Sequence, residues 1–274
     1  MHTTMFHLLF YVFFLPVIFA VSADESSFSY DEKTWRGPSQ WGKLDPNWAT
    51  CSNGCTQSPI NIDPLDVQKL SSLGKLQTHY KPACAVALNN SGHGIDVTLK
   101  GCAGDLVIFG TAYELVQFRW HWPSEHTING ERFELELQMV HKNPVQGTAI
   151  VSILYKKGKS DHFLSKLLNK FKDLGATGDE IGNIDIDDLK LKKEKYYRYI
   201  GSLTTPPCTE GVVWTVIKKA KSVSNRQVIE LRQLSGDVYG STARPLQPLN
   251  GRAVYMHSSN DIVMNGSSEG DDGM

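Results

Sequence analysis

Two short runs of this chain place polar side chains at every second position. In the first, Gln117, Arg119 and His121 alternate with Phe118 and Trp120; in the second, Glu134, Glu136 and Gln138 alternate with Leu135, Leu137 and Met139 before Val140. Alternate residues of a β-strand point to one face, so each polar set can converge on one site while the apolar set enters the core. The residue types limit the chemistry. A neutral imidazole can ligate a metal or carry a proton. A guanidinium stays protonated, has no lone pair to give and suits anions. An amide oxygen coordinates hard cations but is a poor partner for zinc.

Strands and turns must position these groups. Short β-rich runs fall at residues 85–88, 94–99, 105–108, 113–122, 133–141, 149–155 and 212–218, separated by turn signals. Asn129-Gly130 favours an antiparallel reversal, although residues 123–131 are longer than a tight hairpin. Helical periodicity is confined to residues 162–174 and 224–234. The expected fold is mainly β with peripheral helices (α+β), built around a large, mostly antiparallel twisted sheet.

The 274 residues suffice for one large domain, read here as residues 24–260, and no repeat or low-complexity linker divides them. With 28 basic and 29 acidic residues there is no electrostatic case for nucleic acid or an anionic membrane surface. Residues 8–21 are almost wholly apolar and lead into Val21, Ser22 and Ala23, which reads as a signal peptide over residues 1–23 despite an n-region holding only His2 and His7. No second apolar run follows, so no stable membrane span is expected after cleavage. Residues 261–274 read as a disordered acidic tail. Five cysteines without a C-x-x-C pair, in an oxidising compartment, suggest disulfides with one cysteine left over. Asn89 and Asn265 begin glycosylation sequons.

Larger motifs narrow the reading. Gln117-Phe118-Arg119-Trp120-His121-Trp122 with Ser124-Glu125-His126-Thr127, preceded by Gln57-Ser58-Pro59-Ile60-Asn61-Ile62 and Asn90-Ser91-Gly92-His93, and followed by Tyr199-Ile200-Gly201-Ser202-Leu203-Thr204-Thr205-Pro206-Pro207-Cys208, resemble the alpha-carbonic anhydrases. The resemblance spans residues 28–257, and its details are similar to the plant secreted branch that includes the nectarin-like proteins and the yam storage proteins called dioscorins. It implies that family's fold and a zinc held by three histidines with water as fourth ligand, the case by which such sites are commonly illustrated.

Only one of the three ligand positions carries histidine here, His121. Arg119 and Gln138 occupy the other two, so zinc is expected to be weak or absent. The resemblance further places His93 at the proton-shuttle position and Thr204 with Glu125 at the positions that orient a metal-bound hydroxide. Gln117 and Glu136 match partners of ligand histidines. Val140, Ile150, Leu203, Thr205 and Trp214 match the pocket for carbon dioxide. His126 matches a structural hydrogen-bond network, while His141 lies on the opposite strand face. Cys51 and Cys208 match a disulfide of secreted members; Cys84 with Cys102 would form a second across a hairpin, and Cys55 is an alternative to Cys51.

Arg119 is expected to lie near Glu136 or Glu125, because burying two carboxylates without a cation is costly. It would then either offer spare donors to bicarbonate or another small carboxylate, together with His121, Gln138 and Thr204, or simply neutralise Glu136. The expected function is a catalytically inactive family member with an anion-binding, protein-binding or storage role. The alternative is a carbonic anhydrase, hydrating carbon dioxide reversibly to bicarbonate, with weak or residual zinc-dependent activity. The secretory pathway is the expected route, ending outside the cell, in the vacuole or in the plastid. Whether the chain is a monomer or a dimer is not legible in these residues.

Overall fold

The computed structural model describes residues 27–81, 86–90, 93–99, 103–172, 181–235 and 240–257, the stretch 86–90 by its backbone alone. The expected signal peptide, acidic tail, Cys84, Cys102 and Asn265 lie outside the described residues, as does the side chain of Asn89.

Among the described residues, the site is carried by a twelve-stranded sheet. Its main strands are β1 (Val86–Asn90), β2 (Ile95–Leu99), β3 (Asp105–Ile108), β4 (Thr111–His121), β5 (Leu135–Asn143), β6 (Gly147–Lys157), β7 (Tyr196–Ser202) and β8 (Glu210–Ile217). The spatial order β7-β8-β6-β5-β4-β2-β1 puts β4 and β5 near the middle, with β3 on the N-terminal half of β4. Most pairings are antiparallel as expected, but β6 and β8 run parallel, so the sheet is mixed. The strand β7 was not expected; only its last residues, 199–202, stand in one of the motifs.

Alternation sorts the two faces. Leu135, Leu137 and Met139 are fully buried and pack with α1 (His162–Phe171), which contributes Phe163, Leu164, Leu167, Leu168 and Phe171. The Asp161 side chain accepts from the Leu164 N–H and begins that helix, whose regular part ends at Phe171, short of the expected 174. The second helix, α2 (Asn225–Leu234), starts from a capping box formed by Ser224 and Gln227. On the opposite face, Ile150, Leu154, Tyr199 and Trp214 form a second apolar cluster with Val140 and Leu203 at its edge. The Asn129-Gly130 pair does reverse the chain, both residues at positive φ, inside a small hairpin of Thr127–Ile128 and Glu131–Arg132.

The N-terminal segment closes over this second face. Tyr30, Trp41, Cys51 and Cys208 form a third cluster edged by Phe28 and Trp48. The Cys51–Cys208 disulfide is present, while Cys55 is exposed and free among the described cysteines. Buried Arg244 ties the same region together: its guanidinium donates to the Cys51 and Ser58 carbonyls and to Gln57 Oε1.

Candidate functional site

Register brings the two alternating runs together. Arg119 lies opposite Gln138 across β4 and β5, and His121 lies opposite Glu136. On the other side of β4, Asp96 of β2 lies opposite Arg119. One row across three strands therefore reads Asp96, Arg119, Gln138.

Arg119 does not neutralise Glu136 or Glu125 as expected. Its Nε donates to Asp96 Oδ1 and its NH2 group to Asp96 Oδ2, each at 2.7 Å, a two-pronged ion pair. Its NH1 group reaches Thr205 Oγ1 at 3.3 Å. Register is the reason: a cross-strand neighbour on the same face is closer than either glutamate. Burial works against the guanidinium's charge, but the hydrogen bonds and charge of Asp96 outweigh it and hold Arg119 firmly protonated.

Glu136 is satisfied without the arginine. Its Oε2 accepts the backbone N–H groups of Glu125 and His126, and its Oε1 accepts from His126 Nδ1, Gln138 Nε2 and Ser152 Oγ. Burial pushes this carboxyl up, yet His126 and the converging donors overcome it and bring it down to about 2. His126 passes on to the Tyr199 hydroxyl through Nε2, so it sits in a structural network as expected. Gln138 gives its second N–H to Glu125 Oε2 at 2.7 Å. The amide thus stitches two buried carboxylates together.

His121 Nδ1 sits 2.6 Å from the Thr242 carbonyl. A carbonyl only accepts, so Nδ1 carries a proton. His121 Nε2 is fully buried, has no hydrogen-bond partner and lies 3.5 Å from Glu125 Oε2. The other oxygen of Glu125 accepts the Arg244 backbone N–H. No hydrogen bond joins Glu125 to Thr204 among the described residues, although both are buried. Gln117 lies opposite Val140 and Thr98 and bonds none of the site's side chains. Glu134 is exposed and takes no part. Val140, Ile150, Leu203 and Trp214 do gather in one apolar cluster.

His93 stacks on Phe28 with ring centroids 3.7 Å apart. Burial, and then the charge of Arg119, lower its pKa to about 4. On the opposite face, burial lowers His141, bonded to the Tyr80 hydroxyl, to about 4 as well. Both histidines take protons more readily when unfolded, so stability is expected to fall as pH drops from about 6.5 to 4; Glu136 extends the loss from about 4.5 toward 2. Urea unfolding at neutral pH and at about pH 5 and 3 measures this, and an unchanged midpoint would contradict it.

Sequence reasoning missed four residues of this site: Tyr30, Asp96, Thr242 and Arg244. A signal existed only for Asp96, since Ile95, Val97 and Leu99 are its apolar alternates and parity aims it at the site face.

The donor set does not fit zinc. Arg119 has no lone pair, Gln138 turns its N–H groups to the carboxylates, and only His121 offers a bare nitrogen. Among the described residues, no group of three or more His, Cys, Asp or Glu side chains could hold a metal ion.

Comparison with known proteins follows the same lines. A family model described as eukaryotic-type carbonic anhydrase matches residues 36–258. Alpha carbonic anhydrase 4 of Arabidopsis thaliana is 45% identical over 237 residues, 86% of this chain and 88% of that protein. Dioscorin DB3L of Dioscorea polystachya is 44% identical over 238 residues, 85% of this chain and 87% of that protein. A solved dioscorin complexed with ascorbate has a TM-score of 0.79 at 44% identity, covering 84% of this chain and 97% of that one.

Proposed function

This chain belongs to the carbonic anhydrase family, and from that premise we propose that it is a metal-free member whose site binds a small organic acid instead of hydrating carbon dioxide. The observation that carries the reading is the fork of Arg119 on Asp96, which fills one ligand position with a fixed positive charge. A metal cation there would face electrostatic repulsion. Gln138, committed to Glu125 and Glu136, offers no compensation.

Arg119 supports binding of an acid. Three of its five N–H groups are used, two on Asp96 and one on Thr205, and the side chain is about a quarter exposed. The remaining donors can meet a carboxylate, with Thr204, Thr205 and the Leu203–Trp214 wall around it. The similar dioscorin complexed with ascorbate supports an acid of that size. The disulfide, with the signal-like N-terminal run, supports entry to the secretory pathway.

A second reading, a carbonic anhydrase with residual zinc-dependent turnover, is favoured by one observation: His121 keeps a bare Nε2 facing the site. Elemental analysis of the purified protein, alongside a carbon dioxide hydration assay, separates the two. The expected result is zinc far below one atom per chain and no hydration above buffer. Stoichiometric zinc with turnover would establish the second reading and refute the first.

A further inference from the structure

We propose that the site recognises a hydroxyl group on its small acid ligand, the hydroxyl oxygen accepting from the Tyr30 phenol and its proton going to His121 Nε2. This rests on the metal-free reading above, because a metal on His121 would consume that nitrogen.

Two buried polar atoms lack any partner within the chain: His121 Nε2, which lies 3.5 Å from Glu125 Oε2, and the Tyr30 hydroxyl. Their rings meet edge to face with centroids 6.5 Å apart. With its Nδ1 proton held on the Thr242 carbonyl, His121 takes the proposed hydroxyl through a lone pair at Nε2. That lone pair faces another acceptor, Glu125 Oε2, across 3.5 Å, so the arrangement calls for a donor. Tyr30 supplies the opposite need. Its phenol is pushed above its ordinary pKa by burial and then by the charge of Glu125, which keeps it a donor.

A group that satisfies both atoms must accept one hydrogen bond and donate one. A carboxylate oxygen cannot donate, and an ammonium cannot accept; a hydroxyl does both. Leaving two buried polar atoms unpaired is costly, so a ligand that pairs them is selected over one that does not. The ligand class is therefore a small hydroxy acid, its carboxylate on the free donors of Arg119 and its hydroxyl between Tyr30 and His121.

Glycolate and acetate differ by one hydroxyl and carry the same charge, and calorimetric titration of the purified protein with each is the test. Wild type is expected to bind glycolate at least about tenfold more tightly than acetate. In Tyr30→Phe, which keeps the ring and its packing, the advantage should shrink to under about threefold while acetate affinity stays unchanged. Equal affinities in the wild type, or an advantage that survives in Tyr30→Phe, overturn the proposal and leave the metal-free reading standing; a proton shared by His121 and Glu125 gives that result. If the protein carries stoichiometric zinc, the reading beneath the proposal has failed, and the proposal with it. Binding of neither acid to zinc-free protein overturns both the proposal and the acid-binding reading.

Discussion

The triple variant Asp96→Asn, Arg119→His, Gln138→His is expected to take up about one zinc per chain and to hydrate carbon dioxide, and the wild type to do neither. His121 already presents Nε2, and its Nδ1 is already anchored on the Thr242 carbonyl. A histidine at 138 would stand beside Glu136, whose Oε1 is 3.1 Å from the present amide nitrogen, and an imidazole N–H bonded to a carboxylate is a strong metal ligand. Asp96 must change as well. It is nearly buried, and removing Arg119 alone would leave its carboxylate without the partner that satisfies it. The double variant Arg119→His, Gln138→His should therefore bind zinc less well than the triple, by about tenfold or more. Zinc content and hydration rate across wild type, double and triple variants decide the matter. A triple variant that stays metal-free would mean that the scaffold has lost more than its ligands.

Glu136→Ala should be the most damaging single substitution at the site, costing at least about 4 kcal/mol or yielding no soluble protein. Five donors converge on this carboxylate, two of them backbone N–H groups of the turn that carries Glu125 and His126. Truncation leaves all five buried without an acceptor. A domain of this kind is held by only about 5–15 kcal/mol, so the loss approaches the whole. By contrast, Asp96→Asn should cost about 1–2 kcal/mol, because the guanidinium it releases is partly exposed and can reach water. Urea unfolding of both variants tests the ranking. A Glu136→Ala midpoint near wild type would show that the network is dispensable.

How much of this was legible beforehand differs from residue to residue. The faces of β4 and β5 followed from alternation, because side-chain parity is a local property of an extended chain. That Arg119 and Gln138 stand at two expected ligand positions came from the resemblance to the family, not from composition or spacing. The partner of Arg119 was not legible. Glu136 and Glu125 were the expected carboxylates because burying both without a cation is costly, yet Asp96 sits directly across β2 and β4. Strand pairing and its register arise from the packing of the whole sheet, which no local pattern encodes. The strand β7 escaped for a related reason: its buried tyrosines and Arg198 break the alternation that marks a half-buried strand.

The sequence by itself therefore determined the mainly β class and the faces of the two site strands, and placed Arg119, His121 and Gln138 on those faces. Tertiary structure decided the rest. It gave Arg119 to Asp96, gave both N–H groups of Gln138 to two glutamates, and from opposite ends of the chain brought Tyr30 against His121 and the Arg244 N–H onto Glu125. The physical reason is that a buried charge or polar group takes whichever partner folding places nearest, and burial makes that partner's identity matter far more than it would in water.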